Sequence, residues 1–303
     1  MNESKQLDLR GFSGNKIEVI RLEGETFVRK TAKDSSFNFK MEKEVDKIKE
    51  LEKIAKISKN FKIPKIRSVK KNQQGLLVYE LEFVPGESLD VCLYNMNSKK
   101  IKFFAKKLGQ IINELSAKIV VNKLEENFFI LKKFNELDLE LNKKKDSTGI
   151  GKELFNEYSE KIKKLKIKES DLANEGTFCH GDLALDNILI TKRNEIYLID
   201  PLFNDFESVM WDYAKILQSS MTYWNLIKYQ NFQLIPNYKK IIIAPNEHIS
   251  MFHKHFLKNL RDVNPSTILL YLAATLARVA KYAKTDKQLF ALIIIINELL
   301  TDY

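Results

Sequence analysis

Two short apolar runs, Ile188–Ile190 and Ile196–Ile199, flank the polar segment Thr191–Glu195. Such runs about a polar turn read as the two strands of a β-hairpin. What constrains the chain most is the polar set lodged around that hairpin. His180, Asp182, Asn187 and Asp200 all fall within Gly176–Asp212, and such groups are costly to bury unpaired. A segment serving only as core would not carry so many of them. The hairpin holds Asn187 at one end and Asp200 at the other, so both side chains can face one point, and the preceding loop brings Asp182 nearby. Two converging oxygen-bearing side chains suit a hard cation such as Mg²⁺, which takes few protein ligands and keeps contact with phosphates.

The chain has 303 residues and is 44% hydrophobic, enough for a large core divided between two lobes. Its 19 Phe and 11 Tyr argue against disorder. The formal charge of +10 favours anionic partners, although a lysine-rich composition produces the same balance. Charge without a recognised module is poor evidence for nucleic-acid binding. Cys92 and Cys179 are far apart, which argues against a disulfide framework or a cysteine zinc site. The longest apolar run, Phe290–Ile296, is far short of the roughly 20 residues that span a bilayer. The opening MNESKQLDLRGFSG lacks the apolar stretch of a secretory signal. The expectation is a cytoplasmic protein that engages neither nucleic acid nor membrane.

Residues 1–84 read as a small mixed lobe. Strands are expected at Gln6–Phe12, Ile17–Arg21, Thr26–Lys30, Ile66–Val69 and Leu76–Glu80. Between them, Phe37, Met41, Val45, Ile48, Leu51 and Ile54 recur at spacings of three and four, the stripe of a helix over 37–59. Glu42, Glu44 and Lys47 lie off or at the border of that stripe; most should be solvated, and one could turn inward to Lys30. Gly11 and Gly14 permit a tight backbone whose amides could approach a phosphate, or simply make a turn. Residues 82–86, with the Pro85-Gly86 boundary signal, form the hinge.

Residues 85–303 read as mainly helical, with helices at Leu89–Leu93, Lys100–Val121, Leu124–Leu141, Ile150–Leu165, Ser208–Ser220, Ser266–Lys284 and Gln288–Leu300. The last two have broad apolar faces that suit core packing or a homodimer contact. Lys143-Lys144-Lys145 sits in a loop, where a charge run is usually a wet surface. His248, His253 and His255 cluster, but their spacing fits no strong metal motif. The aromatic residues at 223–229 could stack on a sugar or fill the core.

The segment His180-Gly181-Asp182-Leu183 through Asn187, followed by Ile199-Asp200, resembles the catalytic and metal-binding motifs of the aminoglycoside phosphotransferase and choline kinase group of small-molecule kinases. Val28-Arg29-Lys30, VYELEFVPGESL from Val78 to Leu89, and Trp211-Asp212-Tyr213-Ala214-Lys215 extend the resemblance over most of the chain. The match around Asp200 and Asp212 is closer to bacterial members found among capsule and surface-sugar genes. Pro201 after the metal aspartate and Gly181 before the catalytic one depart from protein kinases, and GFSGN is shorter than their glycine loop.

The resemblance implies an α+β, two-lobed protein-kinase-like fold, with a five-stranded sheet plus helix in the N-lobe and a mainly helical C-lobe. It implies transfer of the γ-phosphoryl group of ATP to a hydroxyl of a small molecule, most naturally a sugar, with an amino alcohol or aminoglycoside as alternative acceptor. A degenerate nucleotide-binding scaffold is the rival reading. Asp182 would orient the hydroxyl and accept its proton, His180 would brace the loop, and Asn187 and Asp200 would hold Mg²⁺. Lys30 would pair the α- and β-phosphates, steadied by Glu44 or else Glu42. The Gly11 and Gly14 turn and the backbone of Glu82, Phe83 and Val84 would contribute to the nucleotide site. Asp205 and Glu207 could bind the acceptor or be merely solvated.

Overall fold

The computed structural model describes residues 7–8, 15–121, 125–144, 149–173, 175–244, 246–260 and 262–303. Gly11, Gly14 and Lys145 lie outside them. The chain divides into two compact units, Met1–Cys92 with Asp186–Phe203, and Leu93–Leu185 with Asn204–Tyr303.

In the first unit, β1 (Leu7–Asp8), β2 (Lys16–Leu22), β3 (Glu25–Thr31), β4 (Ile66–Lys71) and β5 (Leu77–Glu82) make an antiparallel sheet in the order β1-β2-β3-β5-β4. The β2–β3 turn uses Glu23 and Gly24, both at positive φ, the geometry of a tight hairpin connection. Helix α1 (Asn38–Ser58) buries Met41, Val45, Ile48 and Leu51, as its periodicity predicts. It ends at Lys59 in the left-handed conformation. Lys47 is not solvated: its side chain is buried and donates to the Leu202 carbonyl at 2.7 Å. A buried ammonium needs such a partner. Strand β6 (Gly86–Ser88) and helix α2 (Leu89–Leu93) follow. The expected hairpin is present as β7 (Ile188–Thr191) and β8 (Ile196–Leu198), and β6 adds to its edge in the order β6-β7-β8. This hairpin groups with the N-terminal sheet. Lys62 ties it there, because its N–H donates to the Ile196 carbonyl and its carbonyl accepts from Leu198.

The second unit holds α3 (Ser98–Ser116), α4 (Glu126–Lys143), α5 (Ile150–Lys164), α6 (Val209–Ser220), α7 (Trp224–Lys228), the hairpin β9 (Gln233–Ile235) and β10 (Lys240–Ile242), α8 (Glu247–Phe256), α9 (Pro265–Ala280) and α10 (Asp286–Asp302). Neither β9–β10 nor α8 stands out from the sequence pattern. Helix α3 ends before the expected Val121. The β-branched run Ile119-Val120-Val121 leaves the helix, and Lys118–Val120 pairs with Gly176–Phe178 instead. That pairing anchors the chain entering His180. The apolar faces of α9 and α10 are absorbed in this unit's core, where α9 packs on α4, α6 and α10. Among the described residues, no helix is long and apolar enough to cross a membrane.

Candidate active site

The first unit carries one half of the predicted set. Lys30 points from β3 into the unit and its side chain is 7% exposed. Its ammonium lies 2.5 Å from Glu44 Oε1 and 3.0 Å from Asp200 Oδ1. The Tyr79 hydroxyl on β5 donates to the same Glu44 oxygen at 2.7 Å. Burial alone would lower the lysine's pKa, but Asp200, Tyr79 and Glu44 overcome it and hold the value well above the usual one. Glu44, not Glu42, is therefore the partner of Lys30. Glu42 is exposed and lies 3.7 Å from Lys71.

Asn187 and Asp200 stand at the two ends of the β7–β8 hairpin. The Ile199 N–H donates to the Asn187 carbonyl at 3.0 Å and closes those ends together. Asp200 adopts a positive φ of 55°, a conformation non-glycine residues seldom keep without constraint. Its side chain remains 42% exposed. At the end of β5, the Glu82 N–H donates to the Lys65 carbonyl and the Val84 carbonyl accepts from Gly86. Phe83 is exposed and Val84 is buried.

The second unit carries the other half. Ser208 caps α6 by accepting from the Met210 N–H, and Asp212 follows in the first turn. Asp212 is fully buried, and its two oxygens accept the backbone N–H groups of His180 and Gly181, each at 2.7 Å. Gly181 has φ of +84°, which explains a glycine where a side chain would be strained. His180 is itself fully buried. The loop so braced presents Asp182.

Asp182 lies 2.8 Å from the Lys215 ammonium on α6 and 3.3 Å from Arg278 on α9. Burial would raise its pKa; Lys215, then Arg278, outweigh burial and hold the carboxyl far below its usual range. Neither cation was singled out from the sequence. The signal was available, since each is a lone cation in an otherwise apolar helical stretch, Tyr213–Leu217 and Leu276–Ala280.

Asp205 is exposed and lies 3.6 Å from Lys132. Glu207 is buried, accepting from the Asn204 N–H at 3.0 Å and the Cys179 thiol at 3.0 Å, so it shapes the loop rather than facing solvent. Trp224 is buried while Tyr229 is exposed. The histidines lie on α8, and no group of three His, Cys, Asp or Glu able to hold a metal occurs among the described residues.

The decisive comparison is with the sequence model of the phosphotransferase enzyme family, which matches residues 9–230. The chain belongs to that family. It is a phosphotransferase with a protein-kinase-like fold, a small antiparallel sheet in one unit and helices in the other. None of the curated proteins matches this phosphotransferase in sequence. Among solved structures it is similar to a mutant of an aminoglycoside 2′-phosphotransferase in complex with GDP (TM-score 0.62, 14% identity, covering 100% of this chain and 92% of that one). A thermostable mutant of another aminoglycoside phosphotransferase, in ternary complex with AMP-PNP and hygromycin B, matches with a TM-score of 0.60 and 8% identity over 99% of this chain and 94% of that one. A protein provisionally named fructosamine-3-kinase, from Haemophilus somnus 129PT, matches with a TM-score of 0.55 and 15% identity over 99% and 91%. At these identities the likeness establishes the fold of the phosphotransferase and not its substrate.

Proposed function

We propose that this phosphotransferase moves the γ-phosphoryl group of ATP to a hydroxyl of a sugar or sugar derivative. The observation that carries the reading is Asp182, presented on a loop braced by Asp212 and kept ionised by Lys215 and Arg278.

The acceptor O–H bond and the bond from the γ-phosphorus to its bridging oxygen break as the new O–P bond forms. Asp182 orients the hydroxyl and receives its proton, which then passes to solvent. Its depressed pKa makes it a weak base, so its main contribution is positioning, as expected where phosphoryl transfer depends on alignment and charge. Lys30, held by Glu44, pairs the α- and β-phosphates. The Phe83 backbone and the Val84 N–H are the groups that fit the adenine. Asn187 and Asp200 fit Mg²⁺ by their chemistry, a carboxamide oxygen and a partly exposed carboxylate at the joined ends of one hairpin. When bound, the ion would neutralise charge on the phosphate oxygens.

A transfer screen with labelled ATP against sugars, amino alcohols, nucleosides and aminoglycosides tests the reading. Label should pass to a sugar-type hydroxyl with wild-type protein and not with Asp182→Ala. Full transfer by Asp182→Ala would sink the role given to that residue.

A further inference from the structure

Glu44 and Lys47 stand three residues apart on α1, which places them on one side of the helix. Other lysines of α1 make short-range surface pairs, Lys49 with Asp46, Lys53 with Glu50 and Lys56 with Glu52. Lys47 does not follow them. Its side chain is buried and reaches across 155 residues of chain to the Leu202 carbonyl, at 2.7 Å. Both partners belong to the first unit. A residue needed only for packing at this position could be apolar, with no ammonium to desolvate. The ammonium is there for the carbonyl it holds.

That carbonyl lies two residues past Asp200. Residues 199–203 form no helix or strand, and Pro201 has no N–H to anchor the backbone. Asp200 has a φ of 55°, and a non-glycine residue keeps such a conformation only where its surroundings impose it. On its N-terminal side the Ile199 N–H is bonded to the Asn187 carbonyl. On its C-terminal side Lys47 holds Leu202. Between these two points Lys30 holds the Asp200 carboxylate, while pairing with Glu44 on the helix that carries Lys47.

Resting on the assignment of Asp200 to Mg²⁺ and Lys30 to the phosphates, we infer that Lys47 is a positioning residue for phosphoryl transfer. Its hydrogen bond to the Leu202 carbonyl ties α1, and with it Glu44, to the segment that presents Asp200. The carboxylate that pairs with Lys30 and the one that meets the ion are thereby held at a fixed separation. Outer partners of this kind orient a metal ligand without touching the metal.

The test compares the full wild-type chain with Lys47→Met, which fills similar space without a donor, and with Lys47→Arg, which keeps a charged donor. Affinity for a non-hydrolysable ATP analogue is titrated by calorimetry with and without Mg²⁺. Lys47→Met should lose about tenfold or more of the affinity measured with Mg²⁺, while the affinity without it stays within about twofold. Lys47→Arg should recover most of that loss, and the surface variant Lys53→Met should show none. In the ligand-free chain, the Ile199 amide should exchange its hydrogen about tenfold faster in Lys47→Met, with the β2–β3 amides unchanged. Should Lys47→Met fail to fold, Lys47→Gln, whose shorter side chain draws the donor away from the carbonyl, should show the same two effects. Unchanged Mg²⁺-dependent affinity overturns the inference. So does an equal loss with and without Mg²⁺, or faster exchange throughout the sheet, either of which marks a role in stability alone. If Mg²⁺ does not strengthen nucleotide binding even in wild type, the metal assignment of Asp200 fails. Faster exchange confined to Ile199 would in that case still support the tie made by Lys47.

Discussion

Asp212 accepts a 2.7 Å hydrogen bond from the backbone N–H of Gly181, the residue immediately before Asp182. Its other oxygen takes the His180 N–H. Asp212→Ala strands two buried donors, at a cost of about 1–3 kcal/mol each. Thermal melting should show the loss, and kcat should fall with it, because the loop that presents Asp182 is no longer held. Asp212→Asn keeps one acceptor oxygen and should fall between wild type and Asp212→Ala in both measurements.

Asp182→Asn should lower kcat by about 10²–10⁴-fold, the range for a positioned acid–base group. Nucleotide affinity, measured by titration calorimetry, should change little. The depressed pKa of Asp182 also carries a stability signature. Its folded value lies below the unfolded value, so its contribution is present above roughly pH 3.9 and is lost as the pH falls through the folded value. The difference in melting temperature between wild type and Asp182→Asn should therefore be largest near neutrality and shrink in strong acid.

Glu44→Gln and Glu42→Gln separate two acids on the same helix. Only Glu44 meets Lys30, while Glu42 faces solvent near Lys71. Glu44→Gln should raise the ATP KM and reduce kcat. Glu42→Gln should leave both within about twofold, in line with the small energies of exposed ion pairs.

Chelation with EDTA should abolish transfer, and Mg²⁺ should restore it. Asn187→Ala and Asp200→Ala should each raise the Mg²⁺ concentration needed for half-maximal rate. An unchanged Mg²⁺ dependence in both variants would remove the hairpin ends from the metal site.

Lys133 on α4 has a lowered pKa. Burial lowers its pKa to about 8, Arg278 adds to that effect, Glu136 opposes it, and Lys281 and Lys132 lower it further. Wild type should gain stability relative to Lys133→Gln as the pH rises from about 8 toward the unfolded value, as read by thermal melting. The unfolded chain holds this proton up to roughly pH 10.4, so the folded state gains from Lys133 as the pH rises between those values.

Local features were legible in the sequence because their signals are local. The 3.6-residue stripe predicts α1, the split apolar runs predict β7–β8, and the spacing of His180, Asp182, Asn187 and Asp200 points to the candidate site. The tertiary structure alone decided what those groups touch. It selected Glu44 over Glu42, buried Lys47 against the Leu202 carbonyl, and grouped the hairpin with the N-terminal sheet. It also brought Arg278 to Asp182 across 96 residues of chain. Periodicity reports which face of an element is apolar and says nothing about the polar group waiting opposite it. A buried charge is stabilised only by a partner at a few ångströms, and for Asp182 that partner comes from helices that fold onto it from far along the chain.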